Sequence, residues 1–173
     1  MIMKRFELIL ISLFVLFLYN CKDDNKNENT DLIKISGITE VDINRQLVGS
    51  FDTTDWRLDD KWSSIEENLF SKKTVSGKKS VIGVLPISYF KVNAYPNPFT
   101  SYIMFDFGLN SNSFCDLRIV DSKLNIILSC DSIRNKIELD LSSAKYKNKM
   151  YRSYYKIFYN NTIYRGHGDI KIN

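Results

Sequence analysis

The stretch Tyr102-Ile103-Met104-Phe105-Asp106-Phe107 puts Ile103, Phe105 and Phe107 on one side of an extended chain and Tyr102, Met104 and Asp106 on the other. A period of two marks a strand with one buried and one wetter face. The same period recurs downstream. Cys115, Leu117 and Ile119 alternate with Asp116 and Arg118, and Ile137, Leu139 and Leu141 alternate with Glu138 and Asp140. Further strands are expected over residues 87–94, 126–130, 151–159 and 162–172. The last two are joined by Asn160-Asn161, residues that tolerate the positive φ of a primed hairpin turn. Seven short strands with turn residues between them predict a mainly β fold, a seven-stranded antiparallel β-sandwich over residues 86–173. Thirteen per cent aromatic residues and only seven glycines suit a packed core.

Upstream, residues 32–85 form an N-terminal appendage of mixed pattern with one short amphipathic helix. Trp62, Ile65, Leu69 and Phe70 fall at i, i+3, i+7 and i+8, one helical face, and Ser63 with Glu66 offers a capping box. Trp56 and Trp62 are the only two tryptophans. Packing against the larger domain is their expected use, with a carbohydrate platform as the alternative. Asp55, Asp59 and Asp60 carry the oxygen ligands that Ca²⁺ takes, but not in the order of a calcium loop, so they are expected to cap the helix. Residues 71–80 (SKKTVSGKKS) read as a basic polar link.

Two prolines close the first strand of the sandwich in Ala94-Tyr95-Pro96-Asn97-Pro98-Phe99, since neither can donate a ladder hydrogen bond. This Tyr-Pro-Asn-Pro motif, the strand at 102–107 and Leu117-Arg118-Ile119-Val120-Asp121 before a hairpin resemble the C-terminal sorting domains of type IX secretion cargo. The resemblance covers residues 92–173 and implies an Ig-like sandwich. The chain departs from that family where Leu124 replaces the usual glycine after the hairpin aspartate, and at Lys149-Met150-Tyr151 in place of Gly-x-Tyr. The resemblance therefore implies a relative used as a display domain. Its alternative is an accessory of the type IX secretion or gliding machinery that docks through this sandwich.

At the N-terminus, Lys4 and Arg5 precede the apolar run LILISLFVLFLY at 8–19, the arrangement of a signal peptide over residues 1–20. A dozen apolar residues fall short of the roughly 20 that a helix needs to span a bilayer. Leu18-Tyr19-Asn20-Cys21 resembles a bacterial lipobox, which implies acylation of Cys21 and attachment to a membrane through acyl chains. Residues 21–31 contain no apolar residue after the cysteine and read as an acidic flexible tether. The Cys-Lys-Asp-Asp start resembles the export signal of surface-displayed Bacteroidetes lipoproteins, implying an outer-membrane, cell-surface location.

With Ser122-Lys123 as a two-residue loop, Cys115 faces Cys130 and a disulfide is sterically open; a four-residue loop ending at Asn125 offsets them and leaves two buried thiols. The single histidine, His167, lies between Gly166 and Gly168, a pattern expected to mark a bulge or turn in the last strand. A serine-nucleophile elbow, a phosphate-cradling glycine loop and zinc-spaced Cys/His pairs are all missing from the sequence, so neither an enzyme nor a cofactor or metal site is expected. A net charge of +4 excludes a nucleic-acid-binding composition. Charge is uneven, however: residues 142–173 hold seven lysines and arginines against Asp169 alone. Arg152, Tyr154 and Lys156 share one side of their strand and form the candidate binding face for an anionic glycan or an envelope protein. The plainer role of these cations is to protect a sheet edge.

Overall fold

The computed structural model describes residues 31–71, 81–82 (backbone only) and 91–173. Cys21, the signal peptide, the tether up to Thr30, the basic link beyond Ser71 and the expected strand residues 87–90 lie outside the described residues. The described strands are β1 (Arg57–Leu58), β2 (Val81–Ile82), β3 (Asn93–Tyr95), β4 (Tyr102–Asp106), β5 (Phe114–Val120), β6 (Ile126–Ile133), β7 (Lys136–Asp140), β8 (Lys149–Tyr159) and β9 (Thr162–Ile172), with one helix, α1 (Ser64–Asn68), between β1 and β2. β4 to β9 fall where strands are expected, and β3 overlaps the expected 87–94 only at residues 93–94.

They pair into two sheets. One is β3-β4-β7; the other runs β1-β9-β8-β5-β6, with β2 paired in parallel beside β9. Apart from that short parallel pairing, the ladders are antiparallel. β8 and β9, eleven residues each, form a hairpin whose Asn160 and Asn161 take φ of 49° and 61°, as the primed turn requires. Between the sheets, Ile103, Phe105, Phe107, Leu117, Ile119, Ile157 and Ile170 are fully buried, and Phe107 meets the ring of Tyr155 edge-on at 6.1 Å. Each such apolar side chain contributes roughly 1.5–3 kcal/mol on burial, against about 1 kcal/mol for an ordinary hydrogen bond. The sandwich interior therefore dominates stability, and polar contacts decide how other segments attach to it.

The second face of the larger sheet is not the wetter face that the alternation suggests. Asp116 and Arg118 of β5 are both buried: Asp116 accepts the Ser132 amide of β6, and residues 62–70 lie across Arg118. Phe70, Trp62 and Leu69 pack there with Val120 and Tyr154 in a second, smaller cluster. The described residues from Asp31 onward belong to one compact unit, so the described part of the appendage and the sandwich share a single body.

The last strand is uninterrupted, which corrects the expectation of a bulge at Gly166-His167-Gly168. Both glycines answer close approach instead. A Cβ on Gly166 would lie 2.1 Å from the Arg57 carbonyl oxygen, and one on Gly168 would lie 2.3 Å from the Trp56 ring. β1 and Trp56 can press against β9 only where no side chain intervenes. Trp56 reaches the core as well, meeting Phe105 edge-on at 6.0 Å, so packing is what this tryptophan does.

Candidate functional site

The polar side chains of this protein converge between the outer face of the larger sheet and the N-terminal segment. The segment's geometry begins with Ser63, whose Oγ accepts from the Glu66 amide while Glu66 Oε2 accepts from the Ser63 amide at 2.6 Å. That reciprocal cap starts α1 and fixes the Glu66 carboxylate. Its other oxygen, Oε1, accepts the Tyr154 hydroxyl at 2.6 Å. Glu67, next along the single turn, accepts from Lys156 Nζ at 2.7 Å and from Arg165 Nη1. Arg118 closes this half: Nε donates to the Leu69 carbonyl, Nη1 pairs with Asp131 at 2.7 Å, and the guanidinium lies 4.8 Å over the Phe70 ring.

Two glutamates thus dock a one-turn helix onto a cationic sheet. The expected apolar stripe is only partly used, since Ile65 stays 53 % exposed while Trp62 stacks on Phe70 at 5.5 Å and meets Tyr154 edge-on at 5.2 Å. The helix itself meets the sheet through Glu66 and Glu67, and the apolar contact comes from Trp62 before it and Leu69 and Phe70 after it. Burial, then the hydrogen bond to Glu66, pushes the Tyr154 hydroxyl far above the ordinary phenol range. Burial would raise Glu66, but its hydrogen bonds from Tyr154 and Ser63 outweigh this and hold the carboxyl below its usual value.

The other half of the layer surrounds β9 beyond its pairing with β1. Arg152 grips Asp169 through Nε and Nη2 at 2.7 and 2.8 Å, and Nη2 also donates to the Lys34 carbonyl. The Asp169 amide donates to Asp55 Oδ1 and the Thr39 amide to Asp55 Oδ2, both at 2.8 Å. Asn97, fully buried, donates from Nδ2 to the carbonyls of Thr39 and Asp169 and accepts the Lys171 amide on Oδ1. These side chains satisfy the strand edge where no neighbouring strand reaches. Burial raises the Asp55 carboxyl to about 6, a shift that the two amide donors resist and the Asp169 charge assists.

Several expectations are corrected by this arrangement. Arg152, Tyr154 and Lys156 do share a face, but residues 34–67 of the same chain cover it, so this is an internal docking surface and not an open binding face. Asp55 and Asp59 do not cap the helix; Ser63 does, while Asp59 accepts from Trp62 Nε1 at 2.7 Å and faces His167 Nδ1 at 2.8 Å. The Cys115–Cys130 disulfide is absent, and both thiols are free. The β5–β6 turn closes the Asp121 amide on the Asn125 carbonyl, longer than a two-residue loop, and the ladder shifts register between Val120 and Ile119 and between Leu117 and Cys115, so Cys130 pairs with Leu117 and Cys115 with Ile133. Diagonal neighbours in a sheet stand roughly 7–8 Å apart, outside the spacing a disulfide accepts.

No family model, curated protein or solved structure matches the chain. Its site is therefore argued from geometry. Among the described residues no group of three or more His, Cys, Asp or Glu is placed to hold a metal ion, and no helix is long and apolar enough to cross a membrane. Asn97 and Glu67 were not singled out by sequence, and Asp55 and Glu66 were expected at the helix cap and not at the sheet. The signal available was complementary charge: two adjacent glutamates after Trp62 and a surplus of cations in residues 142–173.

The Asp59–His167 pair gives the protein a pH dependence of definite sign. Burial disfavours the charged ring, but the Asp59 hydrogen bond and charge outweigh it and raise the His167 pKa above 6.5. A raised pKa stabilises the fold fully below the unfolded-state value and loses that contribution as pH climbs through the folded-state value. Asp55 acts in the same sense lower down, its contribution fading between 3.8 and about 6. Asp59→Asn is expected to flatten the decline in the urea midpoint as pH rises above 6.5, read by tryptophan fluorescence at closely spaced pH. An unchanged slope in the variant would remove His167 as its source.

Proposed function

We propose that this chain is an outer-membrane lipoprotein, anchored through acyl chains on Cys21, whose β-sandwich is a non-enzymatic binding or structural module at the cell surface. The observation that carries the reading is where its polar chemistry is spent. The lone histidine is tied to Asp59, the buried guanidiniums to Asp131, Asp169 and Glu67, and the buried tyrosine hydroxyls to Glu66 and the Arg57 carbonyl. Each is a clamp between segments of the chain. A nucleophile needs a base within hydrogen-bond reach; Asp59 holds His167 Nδ1 as a triad aspartate would, but among the described residues no serine, threonine or cysteine side chain is hydrogen-bonded to His167. The anchoring half of the proposal comes from the basic start, the apolar run and Cys21 itself.

Labelling cells with a radioactive fatty acid tests the anchor. Wild-type protein is expected to carry the label and float with outer membranes, while Cys21→Ala loses both. Proteinase added to intact cells is expected to degrade the protein at the surface. An unlabelled, freely soluble native protein would overturn the anchoring reading, and turnover of a substrate by the purified protein would overturn the non-enzymatic one.

A further inference from the structure

The described fold begins beside an open cleft. The amides of Leu32 and Ile33 both donate to the Ser122 carbonyl, at 2.8 and 3.0 Å, and the Ser122 hydroxyl donates to the Asp31 carboxylate. Asp31 is thereby pinned to the β5–β6 turn. Ser122 is also part of the wall of a cleft of about 590 Å³ that lies between this turn and the start of β8. Lys145, Tyr146, Lys149 and Tyr151 complete much of the lining, with the two tyrosine rings edge-on at 6.2 Å.

Charge around this cleft is one-sided. Asp31 and the segments 121–127 and 144–151 carry Lys123, Lys145, Lys147 and Lys149 against Asp31 and Asp121. Asp121 is spent on its own turn, accepting the amides of Lys123 and Asn125 and the Asn125 side chain. Lys145, Lys147 and Lys149 are exposed. Two large apolar side chains flank the same turn in water: Leu32 at 56 % and Ile126 at 46 % exposure. Cations, tyrosines and exposed aliphatic side chains on one end are what a membrane–water interface accommodates.

Position selects the occupant. Asp31 is the tenth residue after Cys21. A chain of that length spans at most about 35 Å, and averages roughly 17 Å when flexible. The chain enters the fold beside the cleft, so an acyl group on Cys21 is tethered within that length of it. We infer that this lysine-rimmed end docks on an anionic lipid surface, with phosphate-bearing headgroups meeting Lys145, Lys147 and Lys149 and with Leu32 and Ile126 touching the interface. The inference rests on the proposed anchoring, which supplies the proximity; the charge supplies the orientation, since lysines within a Debye length of about 8 Å feel the surface potential.

The test uses the acylated full chain reconstituted into vesicles of phosphatidylcholine alone, or with about a third phosphatidylglycerol. A membrane-impermeant amine reagent, mapped by mass, is expected to modify Lys145, Lys147 and Lys149 about fivefold more slowly on the anionic vesicles, while Lys61 and Lys91 react equally on both. Equal reaction on both vesicle types overturns the docking and leaves the anchor standing. Protection in cells without protection on anionic vesicles assigns this end to a protein partner and also overturns it. The mature Cys21→Ser chain, which cannot be acylated, separates the two readings. It is expected to float with anionic and not neutral vesicles, and the triple variant Lys145→Ser, Lys147→Ser, Lys149→Ser to lose about tenfold in partitioning. Undiminished flotation of the triple variant overturns the docking. A native protein that carries no acyl mass yet binds anionic vesicles through these lysines would keep the docking and remove the anchor.

Discussion

Truncation of Arg152 to Ala is expected to lower the free energy of unfolding by about 3–5 kcal/mol at neutral pH, the range for removing one partner of a buried ion pair. The guanidinium side chain is 15 % exposed and the Asp169 side chain 3 %. Once Arg152 is gone, Asp169 has no other ion pair among the described residues, only the charge of His167 acting without a direct ion pair, and Asp55, whose own pKa the Asp169 charge already raises, lies beside it. Two carboxylates would then share a low-dielectric pocket, so the variant should regain part of its stability as pH falls and one of them takes up a proton. Arg152→Lys restores the charge without the two-pronged geometry and should recover only part of the loss. Lys156→Ala is the contrast: Glu67 is 34 % exposed and keeps Arg165, so a loss near 1 kcal/mol or less is expected. Urea titrations of the three variants decide it. An Arg152→Ala loss no larger than that of Lys156→Ala would mean that Asp169 is hydrated and that the layer is not sealed.

How much of this was legible in the sequence follows from which interactions are local. Strand positions were, because a period of two is a property of neighbours: Ile103, Phe105 and Phe107 point inward wherever the strand sits. The capping box was legible for the same reason, Ser63 and Glu66 being three residues apart. What covers a strand's other face is not local. Arg118, Arg152, Tyr154 and Lys156 show the alternation of a solvated surface, and only the docking of Leu69 and the two glutamates, about 50 to 90 residues away in the chain, turns it into an interior. The glycines around His167 failed differently. A bulge and a close approach both ask for the absence of Cβ, and the choice between them depends on where Trp56 and Arg57 lie. The cysteine pairing depended on one turn and the ladder beside it. Asn125 closes the turn on Asp121, one residue later than a two-residue loop would, and a register shift between Val120 and Ile119 adds another, which together set Cys130 opposite Leu117.

The second large effect is expected at Asn97, where the Tyr-Pro-Asn-Pro motif finds its physical use. Pro96 and Pro98 lack N–H groups, so neither offers a donor that would need a partner at the end of β3. The Asn97 backbone between them bonds in both directions with Val41, and its side chain spans the carbonyls of Thr39 and Asp169 and the amide of Lys171. Asn97→Ala leaves two carbonyls and one amide without their partner in a site that is 0 % exposed. At about 1–3 kcal/mol for each buried group left unpaired, the expected loss is about 3–6 kcal/mol, because some of the three will find water in the space vacated. Asn97→Asp makes the sign of the effect testable. Its carboxylate still accepts from Lys171 but cannot donate to either carbonyl, and it adds a charge near Asp55 and Asp169, so it should be worse than Ala at neutral pH and improve on acidification. Hydrogen exchange localises the outcome. The Lys171 amide should lose protection in Asn97→Ala while amides of the β5–β8 ladder keep theirs in proportion to global stability. A variant that unfolds within about 1 kcal/mol of wild type, with Lys171 still protected, would show that residues 39–41 are held to β9 by something other than this side chain.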